Sequence, residues 1–111
     1  MISIENERFR AEIRLRGAEL ASLYDKQNGR EIIWQADPEI WSGSAPILFP
    51  IVGRLKDGTT EINGTSYEIP KHGLLRTREA RPIEEGNDYA VLQFKSNDET
   101  LKQYPFAFVF V

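Results

Sequence analysis

A chain of 111 residues that is 41% hydrophobic and 28% charged has ordinary globular usage, far from the composition of disordered segments, so a single folded domain is expected. Its net charge of −3, with basic residues scattered among acidic ones, offers no stripe to neutralise a run of phosphates and sets nucleic acid aside as a partner. With no cysteine there is neither a disulfide framework nor a thiolate metal site, and one histidine does not build a zinc site unless several carboxylates converge on it, so no metal is expected.

From Met1 to Gly17 the sequence is charged and alternating where a signal peptide needs an apolar core. No apolar run approaches the length of a membrane span, so a cytoplasmic location with no membrane partner is the expectation. Phe9, Ala11, Ile13 and Leu15 alternate with charged residues from Arg8 to Arg16, the pattern of a half-buried strand. Gly17 breaks it, and a second alternating run leads from Ala18 to Leu23. Asn28-Gly29 then supplies the positive φ of a hairpin turn, from which Glu31 to Gln35 is expected to return as a strand.

Periodicity disappears between Ala36 and Gly53, where three Pro and two Gly sit with Trp41 among apolar residues; this predicts a long packed loop covering one edge of the core. Thr59 to Ile62 and Thr65 to Ile69 flank Asn63-Gly64, a hairpin signal of the strongest short type. Asn63-Gly64-Thr65 also fits a glycosylation sequon, but in the absence of a secretion signal it is read as a turn. Glu79 to Ile83 and Tyr89 to Phe94 form a further expected strand pair. Asp98 to Gln103 has room for a helical turn, and Pro105 to Val111 reads as an apolar strand. No repeat, linker or low-complexity tract interrupts the chain, and the expected class is all-β, sandwich or barrel.

Residues able to carry chemistry are few. His72 lies between Pro70-Lys71 and Gly73, off any clear strand, and on its own reads as a surface or structural histidine. Arg54 follows Gly53 in an otherwise apolar stretch, so its five donors either reach solvent or find partners. The carboxylates fall on solvent-facing positions or in turns and single out no acid–base pair. The serines lie in no nucleophile elbow, and there is no phosphate loop or dinucleotide fingerprint.

The order of motifs adds what single residues do not. The run from Arg14 to Trp41 (RLRGAELASLYDKQNGREIIWQADPEIW) is followed by Ser44 to Leu55 (SAPILFPIVGRL) and the Asn63-Gly64 hairpin. Ile69 to Arg76 (IPKHGLLR) and a Tyr104-Pro105-Phe106 strand entry complete the succession. It closely resembles the N-terminal portion of the aldose 1-epimerase (galactose mutarotase-like) family across almost the whole chain. The resemblance implies a truncated β-supersandwich, one domain over residues 1–111 with no internal boundary, that binds an aldose pyranose without cofactor and interconverts its α and β anomers by acid/base ring opening. It gives Arg54 and His72 a substrate-binding role, with Arg76 a further candidate suited to the phosphate of a hexose phosphate. Family members are longer, and the catalytic glutamate and acid histidine are expected downstream of Val111, so no catalytic residue is assigned here and His72 does not fill that role. The isomerase reading of the parent protein competes with a non-catalytic carbohydrate-binding module and with a structural remnant binding nothing. The apolar Phe106 to Val111 run, unshielded by charge, predicts self-association through that strand.

Overall fold

The structure, a computed structural model, describes residues 1–111, and it is built from short antiparallel strands with one short helix. No helix is long and apolar enough to cross a membrane. Strands β1 (Ile2–Glu5), β2 (Phe9–Arg14), β3 (Glu19–Asp25) and β4 (Arg30–Glu31) form an antiparallel meander in that order. β5 (Thr59–Ile62) and β6 (Thr65–Glu68) make a separate hairpin. A three-stranded sheet follows in the order β7 (Arg81–Glu85), β8 (Ala90–Lys95), β9 (Val109–Phe110), with α1 (Asp98–Gln103) between its last two members.

Local chemistry accounts for most of these boundaries. Asn63 (φ 49°) and Gly64 (φ 80°) both take the left-handed conformation between β5 and β6, as a two-residue hairpin turn requires. At α1 the Asn97 side chain accepts the Thr100 N–H at 2.9 Å while the Thr100 hydroxyl accepts the Asn97 N–H at 2.8 Å, a reciprocal cap that starts the helical turn expected there. The turn after β3 is organised by Asp25, whose carboxylate accepts from the backbone N–H of Gln27 and Asn28 and from Asn28 Nδ2.

Several boundaries differ from the sequence expectation. The strand expected from Glu31 to Gln35 stops at Glu31, because the Glu31 carboxylate accepts the N–H groups of Leu23, Ile32 and Ile33 and the Ser22 hydroxyl. A side chain thereby takes over the Leu23 and Ile33 donors, while the Ile32 N–H still reaches the Leu23 carbonyl at 2.9 Å. β7 begins two residues later than the alternation indicates, and of the expected Pro105 to Val111 strand only Val109–Phe110 pairs, with Lys95 and Phe94. Strand β1, not foreseen, pairs along its whole length with β2.

The sheets are joined by few interactions. An isolated bridge links Arg16 to Glu79, and Gly17 N–H donates to Arg78 carbonyl at 2.7 Å. The core is small: Leu75, Ala80 and Phe94 are buried, and Ala18, Ile47, Phe49, Leu92, Phe108 and Phe110 pack against them. Phe49 reaches from the long loop into an aromatic group, its ring centroid 4.9 Å from Phe108, 5.3 Å from Phe110 and 6.0 Å from Tyr104. The molecule is a thin plate of 55 × 34 × 15 Å whose radius of gyration, 16.6 Å, exceeds the roughly 13–14 Å of a compact chain of this length. Its accessible surface of 7553 Å² is about 1,300 Å² above that of a compact monomer of 12.7 kDa. A groove of about 290 Å³ between β2–β3 and β8–β9, lined only by apolar side chains including Ile13, Leu20, Leu92, Phe94 and Phe110, lies open.

The carboxylates that hold the turns set the acid stability. Hydrogen bonds from the Asn28 side chain, then the N–H groups of Asn28 and Gln27 and the charge of Arg8, hold Asp25 below its ordinary 3.8 against the opposing effect of burial. For Glu31 burial is the largest single influence and pushes upward, but Ser22 and the N–H groups of Ile33, Leu23 and Ile32 together outweigh it and leave the carboxyl below its ordinary 4.5. A carboxyl whose pKa is lowered by folding contributes stability that is complete above its unfolded pKa and is lost as pH falls through the folded one. Urea midpoints at pH 7, 5 and 3 are therefore expected to fall steeply below about pH 4.5, the unfolded Glu value. Glu31→Gln should start from a lower midpoint at pH 7 and show a shallower acid decline; an unchanged decline would remove Glu31 from the account.

Candidate functional site

Two segments without regular secondary structure cross at the centre of the plate. One is the apolar stretch from Pro46 to Leu55, the other the run from Pro70 to Leu75. Phe49, which precedes a cis peptide bond to Pro50, bridges Gly73 in the parallel sense, and its carbonyl accepts the Leu74 N–H at 2.7 Å. Contact is so close here that a Cβ on Gly73 would fall 2.0 Å from the Phe49 oxygen, and Gly73 has φ 81°. Only glycine meets both conditions.

The same crossing fixes His72, which precedes Gly73, against Gly53, four residues after Phe49. Its N–H donates to the Gly53 carbonyl at 2.8 Å, and the Gly53 N–H donates back to His72 Nδ1 at 2.9 Å. His72 itself is held at φ 65°, a conformation in which non-glycine residues concentrate at functional positions. Because Nδ1 accepts this bond, the neutral ring carries its proton on Nε2, which is left as a donor. Arg54 is the next residue after Gly53, so its backbone is anchored beside the histidine. Its guanidinium is exposed and makes no hydrogen bond or ion pair within the chain.

Arg54 lines a cleft of about 310 Å³ together with Asp57, Glu68, Lys71 and Gln103. Two carboxylates, two cations and an amide around one opening present both acceptors and donors, the mixture that a polyhydroxylated ligand requires. Asp57 is a left-handed residue (φ 57°) in the 3₁₀ turn Lys56–Gly58 that leads into β5, and Glu68 ends β6. Sequence reasoning did not find these four side chains. The Asp57-Gly58 turn dipeptide marked the place, but nothing in the sequence brings Gln103 of α1 to it.

Arg76 does not line this cleft. It faces a separate one of about 460 Å³ with Arg16, Glu19, Trp41, Ser42 and Thr77. The wall carrying Trp41 is tied down by Glu19, whose carboxylate accepts the Ser44 and Ala45 N–H groups at 2.7 and 3.1 Å and the Arg14 guanidinium at 2.9 Å. Burial pushes the Glu19 pKa up, yet these donors overcome it and the net direction is downward. The Trp34 indole N–H adds a bond to the Trp41 carbonyl at 2.8 Å. No group of three or more His, Cys, Asp or Glu side chains converges as a metal site would need.

The family model for aldose 1-epimerase matches residues 1–111. The chain belongs to the aldose 1-epimerase family. Two LacX proteins of Lactococcus lactis, one plasmid-borne and one chromosomal, are each 37% identical to it over 113 residues, covering 96% of this chain and 37% of theirs. A galactose mutarotase-like protein from Lactobacillus casei superposes with a TM-score of 0.95 at 35% identity, and a galactose mutarotase related enzyme from Lactobacillus acidophilus with 0.95 at 38%. Both matches cover 98% of this chain, against 37% and 36% of the neighbours' chains. The epimerase-family chain thus spans little more than a third of the relatives' length. Its fold is the all-β, galactose mutarotase-like sandwich architecture over that span, as the sequence resemblance implied.

The crossing at Gly73 is the testable hinge of this geometry. Gly73→Ala is expected to destabilise the chain by about 3 kcal/mol or more, through overpacking against Phe49 and the disfavoured φ. Urea unfolding measures it, and a loss under about 0.5 kcal/mol, within the range of ordinary surface substitutions, would show that the crossing relaxes freely.

Proposed function

We propose that this chain forms one wall of a cleft that holds an aldose in its pyranose form, as the N-terminal part of a single sandwich domain in an isomerase that interconverts sugar anomers. The observation that supports this reading is the mutual pairing of Gly53 and His72, which anchors the backbone of Arg54 next to the histidine. Arg54 brings a planar fork able to span neighbouring hydroxyl oxygens, and His72 brings one directed donor. Asp57 and Glu68 offer acceptors for the hydroxyl protons on the opposite side of the exchange. Anomer interconversion also needs one group to take the anomeric hydroxyl proton and another to protonate the ring oxygen, each within hydrogen-bond reach. Neither role is given to a residue of this chain. For a hexose phosphate, Arg76 and Arg16 in the separate Trp41 cleft are the cations available.

The same reading separates binding from turnover. The 111-residue polypeptide is expected to bind glucose or galactose in a calorimetric titration, with Arg54→Ala weakening binding tenfold or more, while polarimetry of freshly dissolved α-glucose shows no acceleration over the spontaneous rate. Acceleration abolished by Arg54→Ala would reverse the inactive assignment, and binding indifferent to both Arg54→Ala and His72→Phe would remove the sugar reading.

A second copy of the chain is the partner proposed for the open apolar groove and the unpaired outer edge of β9. Antiparallel pairing of one strand with itself is self-complementary about a twofold axis. β9 carries no charge, proline or bulge to discourage it, and its own Val109 is exposed. Sedimentation is expected to show association that rises with concentration and is weakened by Val109→Lys; a clean monomer at high concentration would dismiss the copy as occupant.

A further inference from the structure

One pocket shares no residue with either cleft. It has a volume of about 360 Å³ and lies where the segment after the 3₁₀ turn Leu75–Thr77 meets the ends of β7 and β8. Buried Leu75 and Phe94 are among its lining residues, and its rim carries Arg78, Arg81, Gln93, Lys95 and Asn97, with Glu79 the single carboxylate. The strand register explains the gathering. Arg81 stands opposite Gln93 in the β7–β8 ladder, and Lys95, two residues on, shares the face of Gln93. Arg78 arrives from the turn and is steadied by Glu99 of α1 at 3.3 Å. Arg81 and Lys95 take part in none of the chain's four ion pairs, and Gln93 makes no side-chain hydrogen bond.

Three cations, Arg78, Arg81 and Lys95, thus gather at one opening in a chain of net charge −3. We infer that this pocket binds a tetrahedral oxyanion, a phosphate group presented either as free inorganic phosphate or as a phosphate ester of a small molecule. Guanidinium forks pair with two phosphate oxygens at once, the lysine ammonium supplies a point charge to a third, and the Gln93 amide adds a neutral donor. Arg78 is already paired with Glu99 and Glu79 lines the opening, so the uncommitted positive charge is that of Arg81 and Lys95. This inference does not rest on the sugar-binding reading, because none of the residues involved lines the Arg54 cleft.

The test is a calorimetric titration of the polypeptide at pH 7 and fixed ionic strength with inorganic phosphate, and in parallel with glucose 6-phosphate and glucose. Saturable binding of inorganic phosphate is expected, weakened tenfold or more in Arg81→Gln/Lys95→Gln. Both side chains are exposed, so an unchanged circular dichroism spectrum and melting temperature should accompany the loss. Equal affinity for the two phosphates identifies the bare group as ligand, and tighter glucose 6-phosphate binding that the same double variant weakens identifies an ester; either supports the site. Absence of saturation by both phosphates, or equal binding by wild type and the double variant, overturns it. Glucose binding unaffected by the double variant would leave the sugar reading standing whichever way the phosphate result falls.

Discussion

The contact on which this structure depends is an absence of atoms. Gly73 has no Cβ, so the backbone of the Pro70–Leu75 run lies directly on the Phe49 carbonyl. Phe49 can then donate its ring to the Phe108, Phe110 and Tyr104 group while its carbonyl receives Leu74. With the two segments joined at that point, Gly53 meets His72 a few residues away and the two exchange hydrogen bonds. Core and candidate site are thus consequences of one close approach. A substitution at a glycine far from any ligand would be felt at both.

The site's strain fits this account. His72 and Asp57 are left-handed without being glycine, and each lies at or beside the cleft that Arg54 lines. Such residues persist where surrounding bonds over-determine them, as the paired Gly53 and His72 do. The ring nitrogen that accepts from Gly53 is committed to structure, which leaves Nε2 as the donor of the neutral ring.

Hairpins and caps were legible in the sequence because they are local. Asn63-Gly64 dictates its own turn, and Asn97 with Thr100 dictates the start of α1, whatever the rest of the chain does. The early end of β4 was not legible, since it depends on Glu31 reaching back to Leu23 and Ser22 across the hairpin. β1 escaped notice because its short Ile2–Ile4 alternation gains meaning only once β2 lies beside it. Arg76, grouped with Arg54 and His72 by motif order, faces the Trp41 wall instead, because the Leu75–Thr77 turn carries it there.

By itself, then, the amino-acid sequence determined an all-β chain of the aldose 1-epimerase family and its local turns, since these follow from period, turn chemistry and an ordered set of motifs. Tertiary structure alone decided which side chains share an opening: Asp57, Glu68, Lys71 and Gln103 with Arg54, and Arg78, Arg81 and Lys95 in a pocket of their own. The physical reason is that grouping across non-adjacent segments is set by register and close packing between them, quantities that no local window of sequence contains.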